Sequence, residues 1–137
     1  MAITSGSSAV YKGVSNGEYA VGLTYEDPCA TLIKDGATNI EIIYPVEGTV
    51  FLPAQIGIVK NAKNVAEAQA FVDFMLSEEA QIFLAENTTS RNVREVVYTN
   101  ETMDQLSEIY LIFEDSDYVI EHTSELKEKA REIVMEI

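Results

Sequence analysis

The chain reads as an α/β protein whose sheet is incomplete, and three observations predict this. Short apolar runs without alternation occur at Tyr19–Thr24, Ile40–Tyr44 and Gln55–Lys60, the pattern of strands buried on both faces. Segments with apolar residues at helical spacing lie between and after these runs, which is the strand–helix alternation of an α/β chain. Three strands are also few for four or five helices, so further strands are expected to complete the sheet.

Each element has its own local signal. Ser7 or Ser8 is placed to cap a short helix through about Asn16, with Val10 and Val14 on one face and Gly17 as its stop. The run Tyr19–Thr24 is the first strand, ended by Tyr25-Glu26-Asp27-Pro28. Pro28 suits the first turn of a second helix reaching about Lys34, and Asp35-Gly36 is a turn. Ile40–Tyr44 is the second strand, broken by Pro45 and Gly48, and Gln55–Lys60 is the third. Asn64 followed by Glu67 resembles a capping box and opens a helix with Val65, Ala68, Val72, Met75 and Leu76 at helical spacing. Ser77 caps the next helix, with Glu78 and Glu79 at its positive end and Asn87 at its stop. Residues 88–100 are polar and loop-like. Thr102 and Gln105 predict a helix carrying Met103, Leu106, Tyr110 and Phe113, and a last helix starts near Thr123 with Leu126, Ala130, Ile133, Val134 and Ile137 on one face.

Composition narrows the function classes. At 137 residues the chain is long enough for one ordinary domain. Its 47% apolar content is too high for a disordered chain. Nine basic residues against 23 acidic ones give a net charge of −14, so there is no basic stripe to neutralise nucleic-acid phosphates or to adhere to an anionic membrane. Cys29 is the single cysteine and forms no internal disulfide. His122 is the single histidine, so a cluster of several histidines on a metal is excluded, and no triad is expected around it. No apolar run approaches the length of a membrane span, and residues 1–8 lack the basic start and apolar core of a signal peptide.

The stretch from Asn16 to Gln81 carries several pieces in a fixed order: NGEYAVGLTYEDP, then IEIIYPVEGTV, then KNAKNVAEAQAFVDFMLSEEAQ. Together they resemble the closing part of a solute-binding protein of an ABC importer, in the type II, iron-binding-like group of periplasmic binding proteins. The likeness covers about residues 5–86 and continues more loosely to the closing helix. Such proteins are about twice this length, so the resemblance implies a C-terminal fragment of a two-lobed α/β fold, with incomplete sheets flanked by helices. It implies three parts: residues 1–44 as the remainder of the second lobe, 45–49 as a hinge crossing, and 50–137 as the remainder of the first lobe. It further implies a small polar ligand, anionic or hydroxylated, or iron, held between the lobes and delivered to a membrane permease. The location would be periplasmic or extracellular, with any signal or membrane anchor on the preceding half. No cofactor and no catalysis are expected.

The site residues follow from strand ends and loops. Tyr25, Glu26 and Asp27 stand at the carboxyl end of the first strand, where ligands of open α/β sheets gather; Tyr25 best matches the family's ligand-binding tyrosines. Ferric-type members use paired tyrosines, whereas here Glu26 follows Tyr25. Ser7 and Ser8 can offer hydroxyls and backbone N–H groups to an anion at a helix N-terminus. Glu47, Gly48 and Thr49 form the expected crossing, with Gly48 supplying backbone freedom. Arg91 and Arg94 are expected to pair with some of the many carboxylates. Two other classes compete with this reading. One is a truncated assembly unit that pairs exposed sheet edges into a homodimer. The other is an α/β enzyme with Glu26 or Glu47 as base, which lacks a nucleophile and an orienting partner.

Overall fold

A computed structural model describes residues 2–94 and 101–135. Helices dominate, and the described residues contain one two-stranded parallel sheet. The elements run α1 (Ser7–Ser15), α2 (Glu26–Lys34), β1 (Thr49–Val50), α3 (Val65–Met75), α4 (Glu78–Asn87), a 3₁₀ turn (Leu106–Glu108), β2 (Leu111–Ile112), α5 (Ser116–Glu121) and α6 (Thr123–Met135). Thr49 registers with Leu111 and Val50 with Ile112.

The helices sit where local signals put them. Gly17 follows α1 at φ +77°, the left-handed residue that stops a helix. Ser77 Oγ accepts from the Ala80 N–H at 3.2 Å and caps α4. Asp115 caps α5 in the same way, accepting from the Tyr118 N–H at 3.1 Å, and the Tyr118 ring stacks on His122 at 4.1 Å. Two capping expectations are corrected. The N-cap of α1 is Gly6, with Ser7 and Ser8 already inside the first turn. Asn64 is the N-cap of α3 but makes no side-chain cap.

The strands depart further from expectation. Tyr19–Thr24, Ile40–Tyr44 and Gln55–Lys60 are all irregular, without ladder partners among the described residues. A strand is stable only when a neighbour satisfies its N–H and C=O groups, and the apolar runs do not find one another. The first of them nonetheless has two distinct sides. Gly22 lies against the Val10 and Val14 side chains of α1, and the Tyr19 ring covers Gly13. On the other side Val21 and Leu23 are 81% and 89% exposed. The predicted helix with Met103, Leu106, Tyr110 and Phe113 on one face is also corrected. Glu108 and Gln105 do close a reciprocal cap, but only around the 3₁₀ turn. Beyond it the Tyr110 carbonyl accepts from Thr49 N–H at 2.9 Å and the Ile112 carbonyl from Phe51 N–H at 3.0 Å, so pairing with β1 wins over helix propensity. Ile137 and residues 95–100 of the expected polar loop lie outside the described residues.

The core is small. Ala30, Ala80, Ala85 and Ile109 are its buried apolar residues, and no large side chain among the described residues is fully buried. Buried Gln81 ties the α3–α4 corner together. Its amide donates to the Met75 carbonyl at 2.8 Å and its oxygen accepts from Val93 N–H at 2.8 Å.

Pro45–Gly48 makes a turn closed by the Gly48 N–H on the Pro45 carbonyl at 3.0 Å. Gly48 has φ +111°, and a Cβ there would lie 2.7 Å from the Tyr110 ring and 2.8 Å from Ile112. Gly48→Ala should therefore cost about 1–3 kcal/mol of stability, from backbone strain and this clash. Gly57→Ala, where a Cβ meets nothing within 4 Å, should change stability by less than about 1 kcal/mol. Urea denaturation followed by circular dichroism distinguishes the two, and equal effects would refute the assignment of Gly48 as the tight position.

Candidate functional site

The N-terminus of α2 is where separate parts of the chain converge. Tyr25 is the N-cap of α2, and Glu26 and Asp27 fill its first turn, two carboxylates at the positive end of the helix dipole. Glu26 is held on both oxygens. Arg91 Nε donates to Oε2 at 2.7 Å and Arg91 Nη2 to Oε1 at 2.6 Å, the parallel fork that guanidinium and carboxylate form best. The Tyr44 hydroxyl donates to the same Oε1. Arg91 Nη2 also reaches the Asp104 carbonyl at 2.8 Å. Glu26, Tyr44 and Arg91 thus meet at one carboxylate, and Asp104 joins them through the guanidinium.

A second polar group adjoins the first. The Asp27 carbonyl lies 2.9 Å from the Thr31 hydroxyl and 3.0 Å from the Thr89 hydroxyl, and the two hydroxyls are 2.7 Å apart. Two hydroxyl protons serve these three contacts, so one threonine bonds the carbonyl while the other bonds its neighbour. Thr89 is buried, which makes this satisfaction obligatory. Lys34 Nζ approaches the Glu86 carbonyl at 3.5 Å, extending the seam along α2.

The local electrostatics follow from these contacts. Burial and the hydrogen bond to Glu26 push the Tyr44 phenol up to about 12. Burial would lower the Arg91 guanidinium, but its bonds to Glu26 outweigh this and hold it above its usual value. Burial, with Asp27 and Glu26 nearby, raises the Cys29 thiol. It stays protonated at neutral pH, and its Sγ points to the Tyr25 carbonyl at 3.5 Å, the behaviour of a packing residue rather than a nucleophile.

The expected site residues divide into three groups. Tyr25, Glu26 and Asp27 share the α2 N-terminus, and the Tyr25 side chain is exposed. Ser7 and Ser8 are exposed in the first turn of α1. Glu47 and Gly48 lie in the turn before β1, and Thr49 opens that strand. No hydrogen bond among the described residues joins these three groups. Arg91 takes the structural pairing expected of it, while Arg94 instead donates to the Leu76 carbonyl at 2.5 Å. Sequence reasoning missed Tyr44, whose signal was an aromatic with a polar tip ending an apolar run. It also missed an open groove of about 340 Å³ beyond the carboxyl ends of β1 and β2, lined by Phe51, Leu52, Pro53, Phe113 and Glu114 among others. The Phe51 and Phe113 rings stand 5.6 Å apart within it. Among the described residues no three His, Cys, Asp or Glu side chains converge as metal ligands, and no helix is long and apolar enough to cross a membrane.

The Tyr44 phenol gives a pH signature. Its folded pKa lies above the ordinary value of 10, so the folded chain holds this proton more tightly than the unfolded one. The resulting stability is complete below pH 10 and drains as the pH rises through about 12. Wild type should lose stability more steeply across that window than Tyr44→Phe in chemical denaturation. Parallel curves would mean the phenol contributes no linkage.

The profile of the bacterial extracellular solute-binding protein family matches residues 2–87. The chain is 32% identical over 114 residues to Iron uptake protein A1 of Synechocystis sp., covering 74% of this chain and 31% of that protein. It is 34% identical over 67 residues to an uncharacterized protein of Haemophilus influenzae, covering 49% of this chain and 19% of the other. The chain therefore spans about a fifth to a third of the length of these relatives. No solved structure matches it. With the profile matching residues 2–87, from before α1 to the end of α4, the chain belongs to the bacterial extracellular solute-binding proteins.

Proposed function

We propose that the chain is the C-terminal portion of the extracytoplasmic solute-binding component of an ABC importer. It binds a small ligand without catalysis and hands it to a membrane permease. The observation that carries this reading is the family match over residues 2–87. In the two-lobed type II arrangement, residues 1–44 belong to the second lobe, 45–49 form the hinge crossing and 50–137 belong to the first lobe. Ligand contacts to both lobes then favour the closed form over the open one.

The ligand is either a small polar molecule, anionic or hydroxylated, or iron. Tyr25 is the first contact: it is exposed at the N-terminus of a helix, and its phenol can donate to an anion. Glu26 and Asp27 flank it, Ser7 and Ser8 offer hydroxyls on the α1 side, and Glu47, Gly48 and Thr49 act at the crossing. The name of the Synechocystis relative, Iron uptake protein A1, supports iron. The engagement of Glu26 by Arg91 and Tyr44 favours an anion, because that carboxylate already has its partners.

Calorimetric titration of the intact protein with ferric citrate, inorganic phosphate and sugar phosphates tests the proposal. One class should bind at micromolar concentration or below, and Tyr25→Phe should weaken it by about tenfold, the loss of one hydrogen bond. The 137 residues alone should bind weakly or not at all. Micromolar binding by the isolated chain, or an unchanged affinity in Tyr25→Phe, would overturn the site assignment.

A further inference from the structure

The hydrogen bonds between described residues before position 45 and those after position 49 all lie on one seam. They join Asp27, Thr31, Lys34, Glu26 and Tyr44 on one side to Glu86, Thr89 and Arg91 on the other. A covalent link runs through the Pro45–Gly48 turn, whose glycine adopts positive φ. The contacts along the seam differ in strength. The Lys34 contact is long and exposed, and the threonine cluster is neutral. The Arg91–Glu26 pair is bidentate, charge-assisted and about three-quarters buried, with side-chain exposures of 22% and 25%.

We propose that Arg91 and Glu26 form an ionic latch between the two lobes, with Tyr44 steadying the carboxylate and the Asp104 carbonyl steadying the guanidinium. This rests on the two-lobe reading, because the latch regulates that site by setting how often the lobes dock before ligand arrives. Docking forms both fork hydrogen bonds at once. Undocking returns both charges to water, which recovers part of the lost bonding, so the latch biases the equilibrium without freezing it. Arg91 is a positioning residue here: its hydrogen bonds go to protein groups, and it acts on ligand binding through the docked population. Lysine would keep the charge but lose the fork.

Pulsed electron resonance between spin labels on the intact protein measures the docked population directly. The labels go on exposed positions Lys12 and Lys63, with Cys29→Ser removing the native thiol. Ligand-free wild type should show two distances. Arg91→Ala and Glu26→Gln should each shift the docked-to-undocked ratio on the order of tenfold toward undocked. The double variant should shift it no further than either single one, and Arg91→Lys should fall between. Lys34→Ala should leave the ratio within about twofold of wild type, being an exposed contact. Circular dichroism identifies any variant that fails to fold, and Glu26→Gln, which is nearly isosteric, then carries the test. Two distances with a ratio that ignores both Arg91→Ala and Glu26→Gln would overturn the latch alone. A single distance in wild type and every variant would overturn the two-lobe reading and the latch with it.

Discussion

The bidentate bond between Arg91 and Glu26 is the constraint around which the described structure is arranged. Glu26 opens α2, Arg91 follows α4, Tyr44 ends the second apolar run, and Asp104 precedes the 3₁₀ turn. Among the described residues no large apolar side chain is fully buried, so the polar node supplies much of what a core would otherwise provide. That dependence has a cost. A largely buried ion pair gains from mutual attraction but loses hydration, and the balance is favourable only while every partner stays in place. Removing Arg91 leaves a carboxylate with one phenol and a helix dipole as its compensation.

The division between what was legible in the sequence and what was not follows the range of the interactions. The helices α1, α2, α3, α4 and α6 were readable because their determinants are local: Gly17 after α1, Pro28 within the first turn of α2, Ser77 before α4. Even there, local signals place the N-cap of α1 at Ser7 or Ser8 where the structure has Gly6, since the first helical residue is set by backbone angle. The strands were not readable. YAVGLT and IEIIY have the composition of buried strands, but strand formation depends on a partner that composition cannot name. The segments that do pair are Thr49–Val50 and Leu111–Ile112, and one of these sat inside an expected helix.

The site shows the same division. Tyr25, Glu26 and Asp27 were found together because they are adjacent in sequence, and the α2 N-terminus gathers them. The pairing of Arg91 with a carboxylate was readable from the excess of acidic residues, but its choice of Glu26 depended on tertiary geometry. Tyr44, the Asp104 carbonyl and the groove between Phe51 and Phe113 arise from packing between segments that no short motif connects.

The exposed side of residues 19–25 has a colloidal consequence. Val21, Leu23 and Tyr25 present apolar side chains to solvent, and no backbone group of residues 20–24 is paired with another described backbone group. Unpaired extended chain of this kind is a template for association. At neutral pH the net charge of −14 keeps copies apart. Near the isoelectric point of about 4.2 that repulsion vanishes while the apolar side chains remain. The association of this chain is therefore governed by its carboxylates, and acidification removes the repulsion that holds copies apart.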